Sequence, residues 1–374
     1  MSDSSILILG DVCPFRGYPN LFENKNTTQI FGDLLPLLNN AEYVVANLET
    51  PITETNEILE KNGLNFKIKS EYLRVFKEAN LKAFSLANNH ILDYGIVGLQ
   101  DTFNALNEYK LDFFGAGDVN TAKKALTIEI NKKIISFISF SEREYNCAAD
   151  YSMGANAWDD LLSITDICNE KKKCDFLIVL YHGGIEYYQY PSPLLKKRCE
   201  AIINAGADFV LCQHSHCIVT RESFQNGEII FGQGNSVFGY RENDPNWNEG
   251  LVVKITVSDM LDFEYIPIVA GPNGINLPNE VQKNNILEKF TYRSEQSKDD
   301  EFICDSWKRF CLAKKNHYLP MLFSWNKIFN KLNRMSKGFL LKLFTRKNDR
   351  MVTKNIIRCV SHQEVVLTIL DNEG

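Results

Sequence analysis

The 374 residues carry 47 Asp plus Glu against 41 Lys plus Arg, a net charge of −6, with 44% hydrophobic and 24% charged residues, a balance that excludes a disordered or fibrous chain and gives no reason to expect a nucleic-acid partner. No signal-like apolar run stands at the amino terminus and no stretch approaches the roughly 18 apolar residues of a membrane span, so the chain is expected to be cytoplasmic. Ten cysteines without a Cys-x-x-Cys pair fit reduced thiols rather than a disulfide framework or a structural zinc.

In chain order, Ile6 to Leu9 predicts a strand that stops at Gly10-Asp11-Val12-Cys13. Open α/β sheets bind ligands at that carboxyl edge, where Asp11 suits either a cap or turn, or a ligand, and Arg16 could reach a bound anion. Ile30 to Leu38 reads as a helix, and Tyr43 to Asn47 as a second strand running into Asn47-Leu48-Glu49. A third strand, Ala83 to Ala87, gives way to Asn88-Asn89-His90, then Asp93-Tyr94-Gly95 and a helical pattern through Leu99, Thr102, Phe103 and Leu106. Ala125 to Ile130 and Ile134 to Phe140 form a predicted hairpin about Asn131-Lys132-Lys133. Asp175 to Leu180 is a further buried strand ending in His182-Gly183-Gly184, with Glu186 close behind. A helix from Pro193 to Ala205 then leads to the apolar run Phe209 to Cys212, which stops on Gln213-His214-Ser215-His216. Glu228 to Phe231 ends in Gly232-Gln233-Gly234-Asn235, and Leu251 to Val257 with Phe263 to Val269 read as antiparallel strands. A βα repeat that turns to antiparallel β predicts an α/β fold with mixed sheets.

Of six histidines, His90, His182, His214 and His216 end strand-like runs, whereas His317 and His362 do not. In extended backbone residues i and i+2 project to one side, so His214 and His216 can converge. With Asp11, Glu49 and Asn89 at other strand tips, oxygen and nitrogen ligands suffice for two adjacent divalent ions. Two neighbouring cations repel, so a carboxylate between them is required.

The order Gly-Asp, Asn-Leu-Glu, Ala-Asn-Asn-His with Asp93-Tyr94-Gly95, His182-Gly-Gly with Glu186, Gln-His-Ser-His and Gly234-Asn235 resembles the CapA family of capsule or poly-γ-glutamate synthesis proteins, over roughly residues 6–271. That family is similar to the calcineurin-like metallophosphoesterases, which implies a sandwich of two mixed β-sheets flanked by helices. The resemblance implies two divalent metal ions (Mn, Fe or Zn). Asp11 and His216 would serve the first, Asn89, His182 and His214 the second, and Glu49 would bridge in the place where phosphoesterases generally have Asp. His90 would be a non-ligating general acid or phosphate-stabilising group, with Glu186 and Arg16 the other catalytic candidates. Cys13 stands where phosphoesterases commonly have His and could ligate as a thiolate, favouring a softer metal, or could simply be core. The implied function is hydrolysis of a phosphoester in capsule or poly-γ-glutamate metabolism. The alternatives are an accessory role that holds an anionic polymer without cleaving it, and amide hydrolysis of γ-glutamyl links.

Residues 273–374 lie outside the resemblance and form the expected second region, mainly helical. Between Asp305 and Val360 there are 14 Lys plus Arg against two Asp. Phe302 to Leu312 and Trp325 to Phe344 read as helices. The second carries Trp325, Ile328, Phe329, Leu332, Met335 and Phe339 on one face, with Lys327, Lys331, Arg334, Lys337 and Lys342 among them. Such a helix either packs on the body or makes a peripheral contact with an anionic membrane face or polymer.

Overall fold

Alternation along β1 (Asp3–Val12) sets the architecture. Ile6 and Ile8 face one way, Leu7 and Leu9 the other, and all four are fully buried, so the strand needs a layer on each side. In the computed structural model, which describes residues 3–16, 18–61, 63–322 and 327–344 and positions 350, 353 and 357, one layer is a second sheet and the other is helical.

The chain continues through α1 (Pro19–Glu23), α2 (Thr27–Phe31), α3 (Leu35–Asn40), β2 (Ala41–Leu48), α4 (Leu73–Glu78), β3 (Ala83–Ser85), α5 (Gly95–Tyr109) and β4 (Asp112–Phe114). Strands β1 to β4 pair in parallel. After β5 (Ala116–Gly117) and α6 (Val119–Ala122) come β6 (Leu126–Ile130), β7 (Lys133–Ser141), β8 (Gly154–Ala155), α7 (Leu162–Lys171), β9 (Phe176–His182), α8 (Pro193–Asn204), β10 (Phe209–Gln213), β11 (Arg221–Phe224) and β12 (Gly227–Ile230). Then α9 (Pro245–Asn248), β13 (Glu249–Val257), β14 (Leu261–Gly271) and β15 (Gly274–Asn276) return to the first sheet.

Two mixed sheets result, in the orders β15-β14-β13-β1-β2-β3-β4 and β11-β12-β10-β9-β7-β6, with β5 and β8 pairing apart. Ile6, Ile8 and Val45 of the first meet Phe137, Ile178, Leu180, Phe209 and Leu211 of the second in the central core. Leu7, Leu9 and Phe84 pack outward among α1 to α5, and Val179, Val210 and Cys212 outward against α7 and α8. The fold is therefore the expected sandwich of two mixed sheets flanked by helices. The β6–β7 turn is also as expected: Asn131 and Lys132 both have positive φ, 53° and 63°, the geometry of a two-residue I′ turn.

Four expectations change. The helix read over Ile30 to Leu38 is broken, because Gly32 takes φ 50° and separates α2 from a short 3₁₀ turn and α3. The boundary read at 272 moves: the first compact unit runs Met1–Asp305. The cause is α10 (Glu280–Gln296), whose Ile286 and Phe290 share a buried cluster with Ile218 and Leu251. Finally, α11 (Asp300–Leu322) is longer than the helix read there, whereas the span read as one helix to Phe344 is divided. Its pieces are α12 (Lys327–Met335) and α13 (Phe339–Phe344), and Trp325 lies outside the described residues. Lys337 and Gly338, at φ 52° and 86°, break the helix, and Asn333 Oδ1 accepts the Leu341 amide at 3.0 Å across the break.

Candidate metal centre

The parallel strands of both sheets end at one place. β1 delivers Asp11, β2 delivers Asn47 and then Glu49, the loop after β3 delivers Asn88, Asn89 and His90, β9 ends on His182, and β10 leads to His214 and His216. Glycine lets the walls close. A Cβ on Gly10 would lie 2.2 Å from the Gly234 carbonyl oxygen. Only the absence of that carbon lets Asp11 bridge to Asn235 and lets the Gly10 amide donate to Ser236 Oγ at 2.9 Å.

Two groups of donor atoms form there, each with its atoms within 4.8 Å of one another: Glu49 with His182 and His214, and Asp11 with Glu49 and His216. Glu49 belongs to both. Its Oε1 lies 3.8 Å from His182 Nε2, 4.0 Å from His216 Nε2 and 3.9 Å from His90 Nε2. Asn89 Oδ1 joins the first group, 3.0 Å from His182 Nε2.

The convergence of His214 and His216 has a different cause from the one expected. Neither lies in extended backbone; both follow the strand with positive φ, 88° and 52°. This is a costly conformation for a residue with a Cβ, found where the surroundings enforce it. Here the Ser215 carbonyl accepts the Tyr187 amide at 2.9 Å, and the His214 amide donates to Asp11 Oδ2 at 3.0 Å.

Hydrogen bonds fix the rings. Asn235 Oδ1 stands 2.9 Å from His216 Nδ1 while its own Nδ2 donates to the Trp247 carbonyl at 3.0 Å. His216 Nδ1 therefore carries the proton and Nε2 keeps the lone pair. Asn47 Nδ2 donates to Asp11 Oδ1 at 2.8 Å and lies 3.2 Å from His182 Nδ1. His90 donates from Nδ1 to Asp93 Oδ2 at 2.7 Å, so its Nε2 faces the centre. Asp93 also takes Lys61 and the Phe66 amide, and Phe66 stacks on His90 with centroids 4.2 Å apart.

Charge and burial are out of balance. Burial, then the neighbouring Asp11, raises the Glu49 carboxyl well above its usual range, and burial raises Asp11. Burial also holds His182 well below the ordinary imidazole value and brings His216 down to about 3. Both oxygens of Glu49 and Nδ1 of His214 are buried without a hydrogen-bond partner, and a group left so costs its desolvation. Neutral imidazoles and oxygen donors around an orphaned carboxylate are what a divalent cation satisfies, and its charge would hold the carboxylates ionised. The residues present fit a metal pair.

A cleft of about 210 Å³ opens beside the centre, lined by Arg16, Lys61, His90, Glu186, His216 and Arg241 among others. Arg16 is exposed, its guanidinium 4.9 Å over Phe66, and Glu186 is half-buried. Neither joins the donor groups. Cys13, expected as a ligand, is also outside them. Its thiol packs with Phe66, Phe238 and Trp247, and burial pushes it far above the usual thiol range, the setting of a structural cysteine. Sequence reasoning passed over Asn47, Lys61 and Arg241. Asn47 was visible only as the residue two before Glu49, while Lys61 and Arg241 sit in loops with no periodic signal.

The chain matches the family described as bacterial capsule synthesis protein PGA_cap over residues 5–240. It is 27% identical over 314 residues to the PGA biosynthesis protein CapA of Bacillus subtilis (strain 168), covering 81% of this chain and 80% of that one. It is 29% identical over 245 residues to the capsule biosynthesis protein CapA of Bacillus anthracis, covering 63% of this chain and 59% of that one. Among solved structures it is similar to the 5′-nucleotidase precursor of Thermus thermophilus at 10% identity, with a TM-score of 0.43, covering 77% of this chain and 58% of that one. The matched segment contains the whole centre from Asp11 to Asn235, and the chain belongs to the bacterial capsule synthesis protein family PGA_cap.

Proposed function

We propose that the chain is a dinuclear-metal hydrolase of the phosphoester class, acting on an anionic substrate in capsule or poly-γ-glutamate metabolism. The observation that carries the reading is Glu49, buried with both oxygens unpartnered and common to both donor groups. Asp11, Glu49 and His216 would hold one ion, and Glu49, His182, His214 and Asn89 the other. Two such ions supply Lewis acidity and an activated water. Asn47 and Asn235 keep Asp11, His182 and His216 oriented. His90, with Nδ1–H tied to Asp93, presents Nε2 to the centre, from which the ring in its imidazolium form would give a proton to a leaving oxygen. Phe66 and Trp247 wall the two histidines at the cleft.

A second reading, an accessory protein whose metal centre holds an anionic polymer without cleaving it, is favoured by the names of the Bacillus relatives, which are those of biosynthesis proteins. Among the described residues no helix is long and apolar enough to cross a membrane. Both readings keep the chain in the cytoplasm, with α12 as the candidate contact to an anionic membrane face. Elemental analysis of the purified chain, followed by hydrolysis of bis(p-nitrophenyl) phosphate with added Mn²⁺, separates the two. Two metal equivalents with turnover are expected, metal without turnover leaves the accessory role, and a metal-free chain that takes up none removes both.

A further inference from the structure

Arg241 lies in the loop between β12 and α9, a few residues after Asn235, and the donor groups do not include it. Its backbone is clamped at both ends by one side chain: the Arg241 amide donates to Asn248 Oδ1 at 2.9 Å, and Asn248 Nδ2 donates to the Arg241 carbonyl at 2.7 Å. Its guanidinium carbon stands 3.2 Å from the centroid of Trp247 and 5.7 Å from that of Tyr187. Trp247 in turn lies 5.1 Å from the His216 ring and donates Nε1–H to the Gly239 carbonyl at 3.0 Å. The sequence of contacts therefore runs from a fixed arginine through an indole to a histidine of the centre, and both ends line the same cleft.

An arginine kept only for surface charge needs none of this. Long side chains lose rotamer freedom when held, and a solvated guanidinium gains little from one partly exposed carboxylate. The carboxylate at hand, Asp244, stands 3.8 Å from Nη1, which is an ion pair without a hydrogen bond. Stacking on an aromatic face occupies the plane of the guanidinium and leaves its edge, with paired N–H donors, for an oxyanion. Arg16 offers the contrast: it lies over Phe66 at 4.9 Å but is exposed.

We infer that Arg241 is a substrate-positioning residue, whose guanidinium edge holds a non-reacting oxygen of a phosphate-like anion at the His216 side of the centre, with Trp247 and Asn248 fixing its place. The inference rests on the metal-centre reading for the position of the anion. It predicts which wall of the cleft sets affinity, and it gives Trp247 two tasks, as a prop for Arg241 and as a neighbour of His216.

The test is calorimetric titration of inorganic phosphate into the full chain loaded with Mn²⁺, comparing the native protein with Arg241→Gln and Arg241→Lys, with metal content and melting temperature measured on each. Loss of a charge-assisted contact should weaken phosphate about tenfold or more in Arg241→Gln. Arg241→Lys, which keeps the charge but not the fork, should fall between, and both should retain metal. In Arg241→Ala, millimolar guanidinium should restore part of the affinity, whereas equal sodium should not. Phosphate affinity that is equal in the native chain and the Gln variant overturns the inference whatever the metal content. Absence of metal overturns the hydrolase reading separately. If the Gln variant does not fold, the Lys variant and the guanidinium rescue decide.

Discussion

Glu49 Oε1 stands 3.8 Å from His182 Nε2, close enough to share a cation and too far to share a hydrogen bond. A carboxylate at 0% exposure with neither oxygen partnered destabilises the fold unless a positive charge accompanies it. Glu49→Gln should therefore move two quantities in opposite directions. The metal-stripped variant should melt above the metal-stripped native chain, because the uncompensated carboxylate is gone. Its metal content after reloading should fall to one equivalent or less. Melting curves with and without chelator, and elemental analysis, read both; a variant that keeps two equivalents contradicts the bridging role.

The histidines give the stripped protein an acid limb. For His216 the folded value, about 3, lies below the ordinary 6.5, and the cause is first burial, then His214. A group depressed in the folded state contributes stability that is present above its unfolded value and is lost as pH falls through the window from about 6.5 to about 3. His182 acts in the same direction. Glu49, raised in the folded state, acts the other way, its contribution being lost as pH rises above the unfolded carboxyl value. Chelator-treated His216→Gln should therefore show a shallower loss of melting temperature on acidification than the native chain. Equal slopes would contradict the assignment.

His90 and His214 should separate in their effects. His214 belongs to a donor group and His90 does not. His214→Ala should lose metal, and His90→Ala should keep it while turnover of a phosphodiester falls about a hundredfold or more. Parallel metal loss in the two variants would show that His90 is a ligand.

Gly10 should tolerate no side chain. An alanine Cβ would meet the backbone oxygen of Gly234 at 2.2 Å, and neither strand end can move without displacing Asp11 from Asn235. Gly10→Ala should destabilise the chain by roughly 1–3 kcal/mol and lower metal affinity; a denaturant midpoint and metal content equal to those of the native chain would count against the close approach.

The basic helix gives a fifth test. Ile328 and Met335 of α12 are 68% and 72% exposed, on a segment that also carries Lys331, Arg334 and Lys337. Flotation with anionic liposomes should recover the full chain, and Lys331→Glu/Arg334→Glu should abolish recovery if charge drives the contact. Flotation unaffected by the double variant would dispose of it.

Much of this arrangement was written locally. Strand tips at Asp11, Glu49, His90, His182 and His214 could be found because each apolar run stops abruptly on a polar residue, and the alternation of Ile6, Leu7, Ile8 and Leu9 announces burial on both faces. What escaped depended on contacts between distant segments. That Cys13 packs against Phe66, Phe238 and Trp247 rather than facing the donors is a matter of side-chain direction, which spacing does not encode. The left-handed backbone at His214 and His216 is enforced by tertiary hydrogen bonds to Tyr187 and Asp11, against the preference of histidine itself. α10 carries a weak apolar stripe, so its docking beside Ile218 and Leu251 could be seen only once those residues were in place.

The donors come from both layers of the sandwich: Asp11, Glu49 and Asn89 lie at or just past the ends of strands of one sheet, and His182, His214 and His216 at or just past the ends of strands of the other. Ions seated among them would act as a rivet through the seam, and the rivet hole does not exist until His216, more than half the chain after Asp11, has been synthesised and docked. Metal uptake during biogenesis would then mark completed assembly, and a cell short of the ion would carry this protein with its seam unfastened and the more open to proteases.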